Sequence, residues 1–356
     1  MGDFQDSPDV MVFQINAGDD DDADITFEYN SVRINLSIFA SPSEEDDISE
    51  QKDCIEDRLI RLLGQAVTVD YEDYDRLINE ALDAILDIGK TPFSQAAPLS
   101  HDSSPTKQTL HSCLFSGTLY FRLQTINSKT IIFPIASDDA SSIPDDDGPD
   151  PQFEGHIQVD ATIPRYSSHD IILQDVFVSG SGIVSKVLVG SETMLCKAQR
   201  RGLQDPSLEQ ELISLQRIHQ ADPHGHIRVP SLQGYVTHAK SGAIVGLLRD
   251  WIPCGSHGDT LGHIDISEVP ADLRRKWVDQ IRETVDELHK VGVIWGGGRA
   301  SDVIIDGNDD IWLIDFAGGW LEGWVDEELA GSKEGDDQAV RKITEFLGLN
   351  VNSLSL

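Results

Sequence analysis

Between Val176 and Gly319 the chain passes through a succession of apolar segments, glycine breaks and helical stripes, and this order restricts the fold more than any bulk property. Val176-Phe-Val-Ser-Gly-Ser-Gly-Ile-Val-Ser-Lys-Val187 reads as a strand, a break at Gly180 and Gly182, and a second strand. Such a hairpin lets backbone N–H groups approach phosphates without interference from Cβ, although two glycines in a turn often make nothing more than a hairpin. The next strand, Thr193–Ala198, carries Lys197 among apolar neighbours. A buried, unpaired ammonium costs several kcal/mol, so Lys197 needs a partner. The helix expected over Ser207–Ile218 offers Glu211, with Glu209 as the rival; a lysine reaching solvent from a strand edge is the plainer alternative.

Two more strand-like runs follow, Ile227–Tyr235 and Ala243–Pro253. Then a helix is expected over Ala271–Lys290, with Leu273, Trp277, Ile281, Val285 and Leu288 on one face. Beyond it lie Trp295-Gly-Gly-Gly-Arg-Ala-Ser-Asp302, a strand to Asp306, a tight turn at Gly307–Asp310, and Ile311-Trp-Leu-Ile-Asp-Phe-Ala-Gly-Gly319. Farther on are Gly323-Trp-Val-Asp326 and Lys333-Glu-Gly-Asp336.

This order resembles the protein-kinase superfamily, and in particular the small kinase-like proteins of filamentous fungi, over roughly Asp175–Leu347. The resemblance implies an α+β, two-lobed protein-kinase-like fold, with a small β-rich lobe and a short helical C-lobe, preceded by an acidic α/β N-terminal extension. The expected divisions are an N-terminal region at 1–135, an acidic linker at 136–152 and the kinase-like domain at 153–356. It also implies ATP and Mg²⁺ as the groups to be bound. Lys197 then falls at the phosphate-holding lysine, Glu211 at its helix partner, and Gly180 and Gly182 in the nucleotide loop. Asp315 falls at the metal-binding aspartate and Asp302 where an asparagine metal ligand is expected. Two carboxylates there would make nucleotide binding depend on the metal. Asp336 is a candidate brace for the catalytic loop, with an exposed helix cap as its alternative.

Departures from the pattern bear on activity. Gly297 occupies the position of the catalytic aspartate, Arg299 that of the loop lysine, Ala317 that of the motif glycine, and Ser185 that of the third loop glycine. Without a positioned base the rate falls by ~10²–10⁴-fold. Three consecutive glycines, 296–298, predict a loose loop. The resemblance with these departures implies a pseudokinase that binds nucleotide weakly or not at all and acts as a regulatory or interaction module with a protein partner. The alternative is an atypical ATP-dependent phosphotransferase acting on protein Ser/Thr or a small molecule, with Asp302 or Asp306 as base.

The first 150 residues name no chemistry. Strands are expected at Val10–Phe13 and Ser31–Ala40, the second half-buried by its alternation, and helices at Glu50–Gln65 and Tyr71–Ile88. Thr91–Lys107 reads as a loop, followed by strands at Cys113–Leu123 and Thr130–Ile135; Asp19–Asp22 reads as a solvated turn. The net charge of −35 repels nucleic acid and anionic membranes and suits a basic partner. With four scattered cysteines and no long apolar run, an intracellular protein, cytoplasmic or nuclear, is expected.

Overall fold

The computed structural model describes residues 10–17, 21–30, 32–40, 54–69, 71–98, 108–140, 148–255, 260–320 and 322–349. The chain is α+β and divides into two compact units, residues 1–106 with 115–146, and residues 107–114 with 147–356. Of the expected linker, 141–147 lies outside the described residues, as do 19–20 of the acidic turn, 31 of the second expected strand, 50–53 of the first helix and 99–107 of the expected loop. Among the described residues no helix is long and apolar enough to cross a membrane.

The first unit is one sheet of β1 (Val10–Ala17), β2 (Asp22–Tyr29), β3 (Val32–Phe39), β4 (Thr118–Ile126) and β5 (Lys129–Pro134), in that order. Only β3 and β4 run parallel. Parallel neighbours need a long crossover, and this one contains α1 (Ile55–Ala66) and α2 (Tyr71–Ala96). Asn127 and Ser128, at φ 51° and 61°, close the β4–β5 hairpin in the left-handed conformation that matches strand twist.

Three expectations for this unit, and one for the segment 107–114 of the second unit, need correction. β2 was hidden by its acids: Ala23, Ile25, Phe27 and Tyr29 alternate inward, and Asp24, also buried, accepts from Asn35 Nδ2 at 2.9 Å. β3 is covered on both faces, because Arg33, Asn35 and Ser37 are buried and the Arg33 guanidinium lies over Phe13. α2 continues through Pro92 to Ala96 instead of ending at Ile88. Phe93, fully buried against Phe27, Tyr29 and Phe121, supplies aromatic burial that offsets the helix cost of proline. Cys113 and Leu114, expected to begin a strand, instead end a short helix, α3 (Leu110–Leu114), and the strand begins at Thr118.

The second unit adds a six-stranded sheet in the order β6-β10-β11-β9-β8-β7. Its strands are β6 (Arg165–Ser167), β7 (Ile171–Ser179), β8 (Gly182–Val189), β9 (Glu192–Gln199), β10 (Leu232–Thr237) and β11 (Ile244–Asp250). All pairs are antiparallel except β6–β10. Helix α4 (Pro206–Ala221) connects β9 to β10, capped by Asp205, whose side chain accepts from Ser207 N and Leu208 N. Then come α5 (Ala271–Lys290), the β12 (Val303–Ile305) and β13 (Ile311–Leu313) hairpin, and α6 (Lys333–Phe346). One core, including Tyr235, Trp277, Trp295 and Phe316, joins the large sheet's α4 side to α5 and α6.

His111 of α3 packs against His169 in a tilted arrangement, with ring centroids 3.9 Å apart, and its ring centroid lies 5.4 Å from that of His238. Its Nδ1 is 3.0 Å from Ser168 Oγ. Partial burial, then His169, His238 and Lys240, push its pKa down to about 4.

Two outcomes test this packing. Phe93→Ala should destabilise by about 3–5 kcal/mol in urea denaturation followed by circular dichroism; a loss under about 1 kcal/mol would mean that Phe93 does not anchor the core. For His111, the unfolded ring takes a proton near its ordinary value of 6.5 and the folded ring only near 4, so stability present above pH 6.5 is lost as pH falls through that window. The denaturation midpoint should therefore fall more steeply from pH 6.5 to 4 in the wild type than in His111→Asn. Parallel curves would contradict the assignment.

Candidate functional site

Lys197 lies in β9 opposite Leu247 of β11 and Val184 of β8. Its Nζ donates to Glu211 Oε2 of α4 and, at 3.1 Å, to Asp315 Oδ1 just beyond β13. Burial alone would lower the Lys197 pKa, but the two carboxylates outweigh it and the net direction is up. The expected Lys197–Glu211 pair is present. The rival, Glu209, pairs with His156 at 2.8 Å instead, which fixes the α4 register. Glu211 has only 3% of its side chain exposed, so it depends on that ammonium for its charge balance.

Asp315 has a left-handed backbone, φ 65°, a conformation that costs a non-glycine residue energy and is held only where its surroundings impose it. The following Phe316 is buried in the core, and Ile314 N donates to Asp302 O at 3.0 Å, tying the 302 and 315 segments together. Asp302 is buried, and Arg299 Nε donates to its Oδ1 at 3.3 Å. Burial first, then the charge of Asp315, push the Asp302 pKa up to about 6 against the opposing pull of Arg299.

The glycine loop is pinned at its start. Asp336 of α6, fully buried, accepts from Trp295 N at 2.9 Å and Gly296 N at 2.8 Å, and pairs with His289 Nε2 at 2.8 Å. The Trp295 indole donates to Ile314 O. These bonds counter the looseness that three glycines predict. They also make Asp336 the loop brace and not a helix cap; the cap of α6 is Ser332, whose Oγ accepts from Gly335 N. Gly297 sits at φ 69°, and a Cβ there would lie 3.1 Å from Gly319 O.

The remaining expected residues serve local structure. A Cβ on Gly182 would run into the Gln199 side chain, so that glycine permits close strand packing. Ser185 is buried and donates to Asp175 O at 2.8 Å. Gly180 ends the strand opposite it. Asp306 accepts from Asn308 N, Asp310 N and Trp312 Nε1, which makes it a turn residue unsuited to act as a base.

Two features were missed. Phe177 stacks on Trp251 with centroids 5.8 Å apart, beside Lys186. Arg249, buried in β11, lies close enough to Glu211 and Asp315 for their charges to act on it. A lone basic residue inside an apolar strand, the same signal that picked out Lys197, marks Arg249.

As a divalent-cation site the arrangement is incomplete. Asp302 and Asp315 offer oxygens, but each already holds a cationic side chain, and among the described residues no group of three or more His, Cys, Asp or Glu could hold a metal ion. Mg²⁺ completes its octahedron with waters and substrate phosphates around one or two carboxylates, so what opposes it here is that both aspartates already hold a cationic side chain. No protein-family model matches the chain, and no curated protein matches it.

Lys197→Met should destabilise the protein by roughly 3 kcal/mol, the lower end for breaking a buried pair because Lys197 keeps some solvent contact. Adding Glu211→Gln should recover part of the loss. Urea denaturation of the single and double variants measures both; strictly additive losses would show that the pair is not coupled.

Proposed function

We propose that residues 153–356 form a two-lobed, protein-kinase-like module that holds a nucleotide weakly and has lost phosphotransfer, acting as a regulatory pseudokinase toward a protein partner. The observation that carries this reading is Lys197 held between Glu211 and Asp315 while the adjoining loop presents Gly297 and no carboxylate. The sheet order β7-β8-β9-β11-β10 with α4 inserted after β9 is consistent with a small kinase lobe. The cluster can orient phosphates. With no side chain at 297, nothing there can orient a hydroxyl or accept its proton.

A second reading, an atypical phosphotransferase acting on protein Ser/Thr or a small molecule, is favoured by one observation. Asp302, at about 6, has the acid constant of a base poised near neutral pH. Its hydrogen bond to Arg299 and its burial hold it back from that role.

Radiolabelled phosphate transfer from ATP, with the full chain and both protein and small-molecule hydroxyl acceptors, separates the two. The pseudokinase reading expects turnover far below the ordinary ~1–100 s⁻¹ of kinases, together with a rise in melting temperature when ATP is added. Turnover in the ordinary range that is lost in Asp302→Asn would establish the second reading. Gly297→Asp is the informative gain-of-function variant, since aspartate tolerates a left-handed backbone better than most residues.

A further inference from the structure

Arg249 is 6% exposed. In β11 it is two residues from Leu247, which faces Lys197 across the sheet; alternate strand residues share a face, so Arg249 lies on the Lys197 side. Among the described residues its guanidinium makes one hydrogen bond, from Nη1 to the carbonyl of its own neighbour Asp250 at 3.4 Å. Among the described residues no carboxylate lies within ion-pair distance of it, although the charges of Glu211, Asp315 and Asp250 act on it. Burial pulls its pKa down, yet an arginine remains charged in a protein. Four of its five donors make no hydrogen bond to protein among the described residues, and its nitrogens are not among the fully buried unpaired polar atoms, so they keep contact with solvent and are open to a ligand. Those donors form a rigid fork whose spacing fits the oxygens of a phosphate.

Charge balance completes the case. Lys197 and Arg249 stand against Glu211 and Asp315, and Arg299 stands against Asp302. The positive charge that a divalent cation would bring to these carboxylates is already supplied by side chains.

We propose that Arg249 is the residue that binds a phosphate group of the ligand at this site, and that the phosphate is taken up without a divalent cation. This rests on the nucleotide-binding reading above and departs from the metal dependence that two aspartates alone would impose. Atoms of the nucleoside need not take part, so a free polyphosphate and a nucleotide share the relevant chemistry.

Titration calorimetry on the full chain, with ATP, pyrophosphate and adenosine as probes, each in EDTA and in excess Mg²⁺, tests the proposal. The expected result is that ATP binds in EDTA at least as tightly as in Mg²⁺, that pyrophosphate also binds in EDTA, and that adenosine does not. Arg249→Met should weaken both anions by roughly tenfold or more, with Arg249→Lys intermediate. If pyrophosphate fails to bind while ATP and adenosine bind equally, recognition is through the nucleoside and the proposal falls. ATP binding only with Mg²⁺ overturns the proposal but leaves the nucleotide-binding reading standing; no ATP binding in either buffer overturns both. Tighter ATP binding by Arg249→Met would show that the guanidinium plugs the site, which also overturns it. The comparison of EDTA with Mg²⁺ uses wild-type protein and stands even if the variants fold poorly.

Discussion

A buried ammonium cannot remain charged without compensation, and Lys197 obtains it from two elements distant in sequence. Glu211 comes from α4 and Asp315 from the segment after β13, so one side chain links the six-stranded sheet, its helix and the β12–β13 hairpin. Removing the cation would leave two carboxylates facing each other, one of them almost wholly buried. The position of α4 against the sheet and the left-handed backbone at Asp315 are thus coupled to a single charge. Strain of this kind persists only where its surroundings determine it, and here the surroundings are the Lys197 hydrogen bond on one side and buried Phe316 on the other.

Asp336 plays the corresponding part for the glycine loop. A carboxylate accepting two adjacent backbone N–H groups fixes the direction of the chain at Trp295 and Gly296. The loop is therefore shaped by groups outside it, and glycine suits 297 because its backbone is left-handed and Gly319 O lies close. A loop aligned in this way and lacking a functional side chain is better suited to recognition than to proton transfer. On the proposed reading, the loop keeps its frame while position 297 offers no side chain for proton transfer.

Much of the second unit could be read in the sequence because its signals are local and redundant. The α5 stripe runs over the observed Ala271–Lys290, and Lys197 stands out because a charge in an apolar strand demands explanation. The sequence pattern left Glu209 open as the rival, and the resemblance set Glu211 above it; the observed ion pair agrees. What escaped detection depended on tertiary context. β2 alternates correctly, but its acids masked the pattern, and Asp24 becomes acceptable in the interior only once Asn35 is beside it. α2 passes through Pro92 because Phe93 finds a pocket of aromatic rings contributed by β2 and β4. Arg249 gave the same signal as Lys197, but its relevance depends on β11 pairing with β9, a contact that no local pattern reveals.

The acidity of the chain bears on this site less than its size suggests. At physiological ionic strength charges separated by more than about 8 Å are largely screened, so a ligand at Lys197 experiences mainly the groups around it. There three cations face three carboxylates, a local balance unlike the net −35 of the whole. The exterior charge acts instead on encounter, where unscreened surface potential slows an approaching anion and hastens a cationic one. A basic partner is therefore drawn to the surface by the bulk charge, whereas a phosphate must be recognised at short range by donors already in place. On the proposed reading, that separation would assign affinity for a phosphate to a few side chains at the site, Arg249 foremost, and leave the acidic exterior to act on a partner.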